Sequence, residues 1–274
     1  MKYYPVEQEE LDLFAPPPAL PAPAPVPDPA PALIPRGPLG WPPAGVRPYY
    51  HDATTCIIHG DCREILPVLF DIDLVVTDPP YGVDYDGGSL VREKLAGDTS
   101  PLLYAEAIRM CRRAARDSAA FYIFYADSQT LAVRQAVDAA GLGVRNNLIW
   151  VKNMAQFGNP FAQYKQKFEP LLYCHIKGHS PKWRGPANEV NVWEADRASA
   201  NKLHPTQKPL DLMLRCIRNS SDPGDTVLDP FAGSGTSLRA AKDLGRRSIG
   251  IEIEEAYCEV AAGRMVQEVL ALSA

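Results

Sequence analysis

The chain has 274 residues, with 28 Lys+Arg against 33 Asp+Glu, a formal net charge of −5, 27 prolines and six cysteines. No run of 18 apolar residues occurs, which excludes a membrane-spanning helix. The acids at Glu7, Glu9, Glu10 and Asp12, with no apolar run between them, argue against a secretory leader.

The cysteines form no CxxC pair, so zinc spacing is absent and no metal site is expected. Their scatter fits a reducing, cytoplasmic compartment better than a disulfide framework. Fifteen of the prolines fall in residues 1–48 and twelve in the remaining 226. Proline fixes φ and lacks an N–H, so residues 1–49 are expected to be a disordered Pro/Ala-rich tail of polyproline II character. Residues 50–274 then form one catalytic-size domain.

From residue 54 onward, short apolar runs alternate with helical patterns. Strands are expected at 54–58, 73–77, 119–125, 144–152, 170–175, 226–228 and 248–253. Helices are expected at 61–69, 101–116, 128–140, 210–219, 235–244 and 254–270. Runs such as DLVV and TVLD are apolar on both faces, as buried parallel strands are. The alternation predicts an α/β fold, a doubly wound, mostly parallel sheet that binds ligands at the carboxyl ends of its strands. No helix is expected between 144–152 and 170–175, so these two form an antiparallel hairpin at the sheet edge.

Two strand ends carry chemistry. Residues 226–236 read TVLDPFAGSGT, a buried strand followed by a glycine turn and a helix start. Gly233 and Gly235 permit close approach of a ligand to backbone, and the helix start offers free N–H groups. Glu252 follows Gly233 by 19 residues at the end of the next strand, where an acid can take the two hydroxyls of a ribose. Position 238 is Leu, so the third glycine of the dinucleotide fingerprint is missing. The pattern implies an adenosine-bearing cofactor without naming it; an unliganded tight turn is the alternative.

Residues 72–82 read IDLVVTDPPYG. Two prolines strip the turn after this strand of N–H donors, leaving the Asp78 carboxylate and the carbonyls of Asp78 and Pro79 as acceptors. Such a cluster suits an exocyclic NH₂ group, and Tyr81 offers a face for a base to stack on. The amino nitrogen of adenine or cytosine is a poor nucleophile, because its lone pair is delocalised into the ring. Acceptors holding both its hydrogens favour a pyramidal nitrogen able to attack an electrophilic methyl group. Positioning and electrostatics suffice for that, with no covalent intermediate.

Together, DPPY at 78–81, HPTQKP at 204–209 and DPFAGSGT at 229–236 resemble the amino-methylating DNA methyltransferases that use S-adenosyl-L-methionine. With DPPY ahead of the cofactor turn, the order resembles their circularly permuted beta group, across residues 54–270. The resemblance implies that Asp78, Pro79, Pro80 and Tyr81 hold a flipped-out base. It implies that Asp229, Phe231, Gly233, Gly235 and Thr236 line the cofactor and that Glu252 binds its ribose. Asp61 matches an acidic position near the cofactor adenine, with a helix N-cap as the alternative. Thr206 and Lys208 fall where the family approaches the methionine end, with a loop leading into a helix as the alternative. DPPY usually goes with adenine N6 and SPPY with cytosine N4, so a site-specific adenine-N6 DNA methyltransferase of the restriction–modification kind is expected. Cytosine N4, an amine of RNA or protein, a non-catalytic nucleic-acid-binding relative and a nicotinamide oxidoreductase are the rivals.

Between Arg145 and Arg184 stand seven cations and one acid, Glu169, with aromatics interleaved from Trp150 to Trp183. This stretch is expected to meet DNA through Lys165, Lys167, Lys182 and Arg184, although Trp150 and Tyr173 read as core. The glycine-containing loop at 83–98 is expected to close over the target base. About 27 residues, 177–203, remain for target recognition. That is too few for an independent domain, so specificity is either short and relaxed or supplied by a homodimer or a separate specificity subunit. Many relatives carry His at the position of Phe168, and its absence leaves the role of Glu169 open.

Overall fold

The computed structural model describes residues 40–80, 101–153, 163–196 and 208–266. The tail to residue 39, the 83–98 loop, Tyr81, His204, Thr206 and residues 267–270 of the last expected helix lie outside the described residues.

Nine strands form one sheet. They are β1 (Tyr50–His51), β2 (Thr55–His59), β3 (Ile72–Thr77), β4 (Ala115–Phe124), β5 (Leu142–Val151), β6 (Phe168–Ile176), β7 (Val192–Glu194), β8 (Thr226–Asp229) and β9 (Arg247–Glu252). The helices are α1 (Cys62–Ile65), α2 (Pro101–Ala114), α3 (Thr130–Ala139), α4 (Leu210–Ser220), α5 (Thr236–Asp243) and α6 (Glu255–Val266). Sheet order is β1-β2-β9-β8-β3-β4-β6-β5-β7. The central strands β2, β9, β8, β3 and β4 pair in parallel. The expected α/β doubly wound sheet is therefore present.

Alternation along the strands sorts the core onto two faces. Ala119, Phe121 and Ile123 of β4 pack with Ala107, Ile108 and Cys111 of α2 and Val133 and Val137 of α3. Ala120, Tyr122 and Phe124 pack on the other face with Leu212, Met213 and Cys216 of α4 and Ala240 and Ala241 of α5. In β3, Ile72, Leu74, Val75 and Val76 are all buried, so apolar side chains cover both faces of the strand. Each such side chain contributes about 1.5–3 kcal/mol. All six cysteines are buried and free. Among the described residues no helix is long and apolar enough to cross a membrane.

The β3–α2–β4 unit lays its helix on one face, and the β8–α5–β9 unit lays its helix on the other. The winding therefore reverses between β3 and β8, which pair directly, Leu74 with Val227 and Val75 with Leu228. A crevice at the carboxyl ends of strands at such a reversal is where open α/β sheets take ligands.

Three details depart from the expected layout. The β5–β6 hairpin is antiparallel, but β6 also pairs antiparallel with β4, and β7 adds in parallel to β5, so the hairpin is not the outermost element. β1 and β7 have two and three residues, too few for a periodic pattern to show. Residues 40–49, assigned to the tail on proline content, pack on the sheet. Trp41 Nε1 donates to the Asp52 carbonyl at 2.7 Å, and Tyr49 N–H donates to the Ile57 carbonyl at 2.8 Å.

Candidate active site

Four parallel strands bring four acids to one edge of the sheet. Asp229 ends β8, Glu252 ends β9, Asp78 follows β3 by one residue and Asp61 follows β2 by two. The parallel register sets this alignment, pairing His59 with Glu252 and Asp229 with Gly250.

Glu252 is held by backbone. Its two carboxylate oxygens accept from Gly233 N–H at 2.7 Å and Glu254 N–H at 2.9 Å, while its carbonyl accepts from Gly60 N–H at 2.9 Å. Burial pushes its carboxyl up, against the pull of those N–H groups. The glycine turn, the Glu252 acid and the loop carrying Asp61 are thus tied together. Gly233 and Gly235 have φ of 50° and 76°, conformations that favour glycine. At Gly235 a Cβ would also stand 2.9 Å from that of Ala261, so the turn lies tight against α6.

Asp229 is buried beneath the same turn, accepting from Phe231 N–H at 3.1 Å and from the Ser237 hydroxyl. Burial pushes its carboxyl up to about 7, opposed by those two donors and assisted by the nearby Asp78 carboxylate. Phe231, Pro230, Pro79 and Thr77 line one small cavity above α2, so the DPF and DPP turns face each other across it. Pro79 is buried and Pro80 half-buried.

Asp61 does cap α1, accepting from Arg63 N–H at 2.8 Å, and Arg63 beside it holds its carboxyl below the usual range. The Thr236 hydroxyl accepts from the Arg264 guanidinium at 2.9 Å. Lys208 Nζ donates to Asp78 Oδ2 at 2.6 Å, lies 3.1 Å from Glu169 Oε2, and sits 5.4 Å from the centre of the Phe124 ring.

The residues expected to touch DNA separate into two groups. Lys165 and Lys167 are exposed at the same edge as Asp78, where the Lys167 carbonyl accepts from Lys152 N–H at 2.8 Å. Lys182 and Arg184 are not there. Lys182 Nζ lies 2.5 Å from Asp225 and 3.3 Å from Asp222, and Arg184 is bidentate to Asp222 at 2.7 and 2.9 Å. Those acids precede β8, at the opposite end of the sheet, so these two cations tie a surface segment down far from the crevice. Lys152, counted with the exposed cations, is fully buried. Trp183, itself exposed, packs on the buried Tyr173 at 5.8 Å between ring centres. A charge count along the chain could not separate the two ends of the sheet.

The sequence also left Glu169 and Lys152 without a role. Both lie beside apolar stretches at strand ends, Lys152 after residues 148–151 and Glu169 before Leu171 and Leu172. A charged residue placed there is the signal that could have flagged them.

A family model described as DNA methylase, of the N6/N4 type, matches residues 72–263. The chain belongs to the N6/N4 DNA methylase family. This makes it an S-adenosylmethionine-dependent DNA methyltransferase, the activity for which the crevice residues were singled out. Among its relatives, the Type II methyltransferase M2.DpnII of Streptococcus pneumoniae is 29% identical over 254 residues, covering 81% of this methylase and 93% of the relative. The structure of the M1.HpyAVI–SAM complex superposes with a TM-score of 0.65 at 29% identity, covering 78% of this methylase and all of that chain. PvuII DNA methyltransferase, described as cytosine-N4-specific, shares the fold at a TM-score of 0.67 and 20% identity, covering 83% of this methylase and 92% of that chain.

Proposed function

We propose that the protein methylates the exocyclic N6 of a flipped-out adenine in DNA, with Asp78 and the DPPY turn as the amine-holding site. The observation that carries this reading is the placement of the DPP turn against the glycine turn at the strand reversal, across one small shared cavity.

The crevice fits an adenosine-bearing cofactor. Glu252 presents a carboxylate already oriented by two backbone N–H groups, and the turn beside it lies against α6 at Gly235. Glu252, the 229–236 turn, Asp61 and the segment at Thr206 and Lys208 are the residues that would hold S-adenosylmethionine. When bound, it supplies an electrophilic methyl group.

The protein's part is to present the acceptor. The Asp78 carboxylate and the prolyl-turn carbonyls take the two amine hydrogens, and Tyr81 stacks on the base. Asp78 is a carboxylate able to accept the proton that the nitrogen sheds on becoming a secondary amine. An aspartate in this turn favours adenine over cytosine on the family pattern. Lys165 and Lys167, exposed at the same edge, are positioned for phosphate.

The test uses unmethylated DNA, methyl-labelled S-adenosylmethionine and an Asp78→Ala control, with the DNA digested to nucleosides. N6-methyl-2′-deoxyadenosine from wild type alone supports the reading, while N4-methyl-2′-deoxycytidine overturns the choice of base. Full activity in the Asp78→Ala variant overturns the role of Asp78.

A further inference from the structure

A line of alternating charges runs inward from the DPPY turn. Lys208 Nζ is 2.6 Å from Asp78 Oδ2 and 3.1 Å from Glu169 Oε2, and Lys152 Nζ is 2.5 Å from Glu169 Oε1. The four residues come from the end of β3, the approach to α4, β6 and the residue after β5. The Lys152 side chain has no exposed area and that of Lys208 only 7%. Burial opposes the charged form of Lys208, but Asp78 and Glu169 outweigh it and hold its pKa above the usual value. Burial likewise opposes the Glu169 carboxylate, and Lys208 and Lys152 outweigh it.

The order of the charges matters more than their number. An ammonium clamped on Asp78 alone would fix the carboxylate but cancel its charge. That charge is needed where the acceptor nitrogen turns positive. Glu169 shares the Lys208 ammonium and so restores negative character at Asp78. Glu169 would then be an uncompensated buried anion, and Lys152 supplies its counterion. Among the described residues of this line, two carboxylates and two ammoniums sum to zero, which is how buried charges are tolerated. Asp229, from β8, is the further acid facing Asp78; burial first, and Asp78 with it, hold it protonated below about pH 7, so there it adds no charge to the line.

We propose that Lys152 and Glu169 are positioning residues of the methyl-transfer site. Acting through Lys208, they fix the Asp78 carboxylate and set the charge it presents to the acceptor amine. The inference rests on the reading of Asp78 as the amine-holding residue.

The charge balance makes its own test. Lys152→Met leaves the chain one positive charge short, and Glu169→Gln leaves it one in excess. The double variant is neutral again. Single-turnover rates on unmethylated DNA are measured across pH, with S-adenosylmethionine affinity by calorimetry and urea midpoints as folding controls. Each single variant is expected to lose roughly 10- to 100-fold in the single-turnover rate with cofactor affinity unchanged. The acid limb of the rate profile is expected to move up by about one pH unit in Lys152→Met and down in Glu169→Gln. The double variant returns the limb to the wild-type position, and Lys152→Arg keeps it there. Loss of rate with the limb unmoved in both single variants would overturn the proposal, leaving a structural role only. Rates within threefold of wild type would also overturn it. A wild-type enzyme inert on DNA would refute the underlying reading instead.

Discussion

Asp229→Asn isolates the energetic consequence of burying an acid under the cofactor turn. The folded carboxyl titrates near 7, against an ordinary 3.8, so the displacement is about three units. At about 1.4 kcal/mol per unit this is about 4 kcal/mol of stability. Between pH 4 and pH 7 the unfolded chain has lost this proton and the folded chain keeps it. The folded state thus binds more protons, and stability falls as pH rises through that window, then levels off above 7. Asparagine stays neutral, can still accept from Phe231 N–H and can engage the Ser237 hydroxyl, so it removes the slope while keeping the contacts. Urea unfolding at a series of pH values measures both proteins. The stability of Asp229→Asn relative to wild type should rise by about 3 kcal/mol between pH 5 and pH 8. For a domain of this size that corresponds to about 6–12 °C in melting temperature. A difference that stays flat across this range would refute the assignment of a protonated, buried Asp229.

The two pairs of cations should part company on DNA. Replacing Lys165 and Lys167 with Ala should reduce the slope of log affinity against log salt by about 2, read by fluorescence anisotropy. The same change at Lys182 and Arg184 should leave the slope alone, because both are engaged with Asp222 and Asp225 at the other end of the sheet. Gly235→Val combines φ of 76° with a Cβ 2.9 Å from that of Ala261. It should cost about 2 kcal/mol or more in urea unfolding and abolish S-adenosylmethionine binding by calorimetry.

Much of this molecule is legible in its sequence because the local signals agree. The short apolar runs of β3 and β8 announced strands covered on both faces, and each led into the acid later found at the crevice. Gly233 and Gly235 announced a turn that other residues would strain. Less could be read where a residue's meaning depends on distant partners. Lys152 counts as a surface cation until β6 brings Glu169 against it, and Lys182 counts as a DNA contact until the approach to β8 supplies two carboxylates. Asp61 was read either as an acid near the cofactor or as a helix cap, and the structure shows the cap. Trp41 escaped notice because the prolines around it outweighed the aromatic ring that anchors the segment.

The pairing of β3 with β8 also has a kinetic side. Thr226 N–H donates to Asp73 across 153 residues of chain, and Lys208 reaches Asp78 across 130. Contacts of such separation form only after long loops have closed, and they are slow to form. Neither half of the crevice can complete itself from its own neighbourhood in the chain. A chain still growing, or refolding from denaturant, therefore acquires its two strand–helix units before it acquires a place to bind anything. Regain of cofactor binding becomes a clock for the last long-range docking step, and not for the appearance of secondary structure.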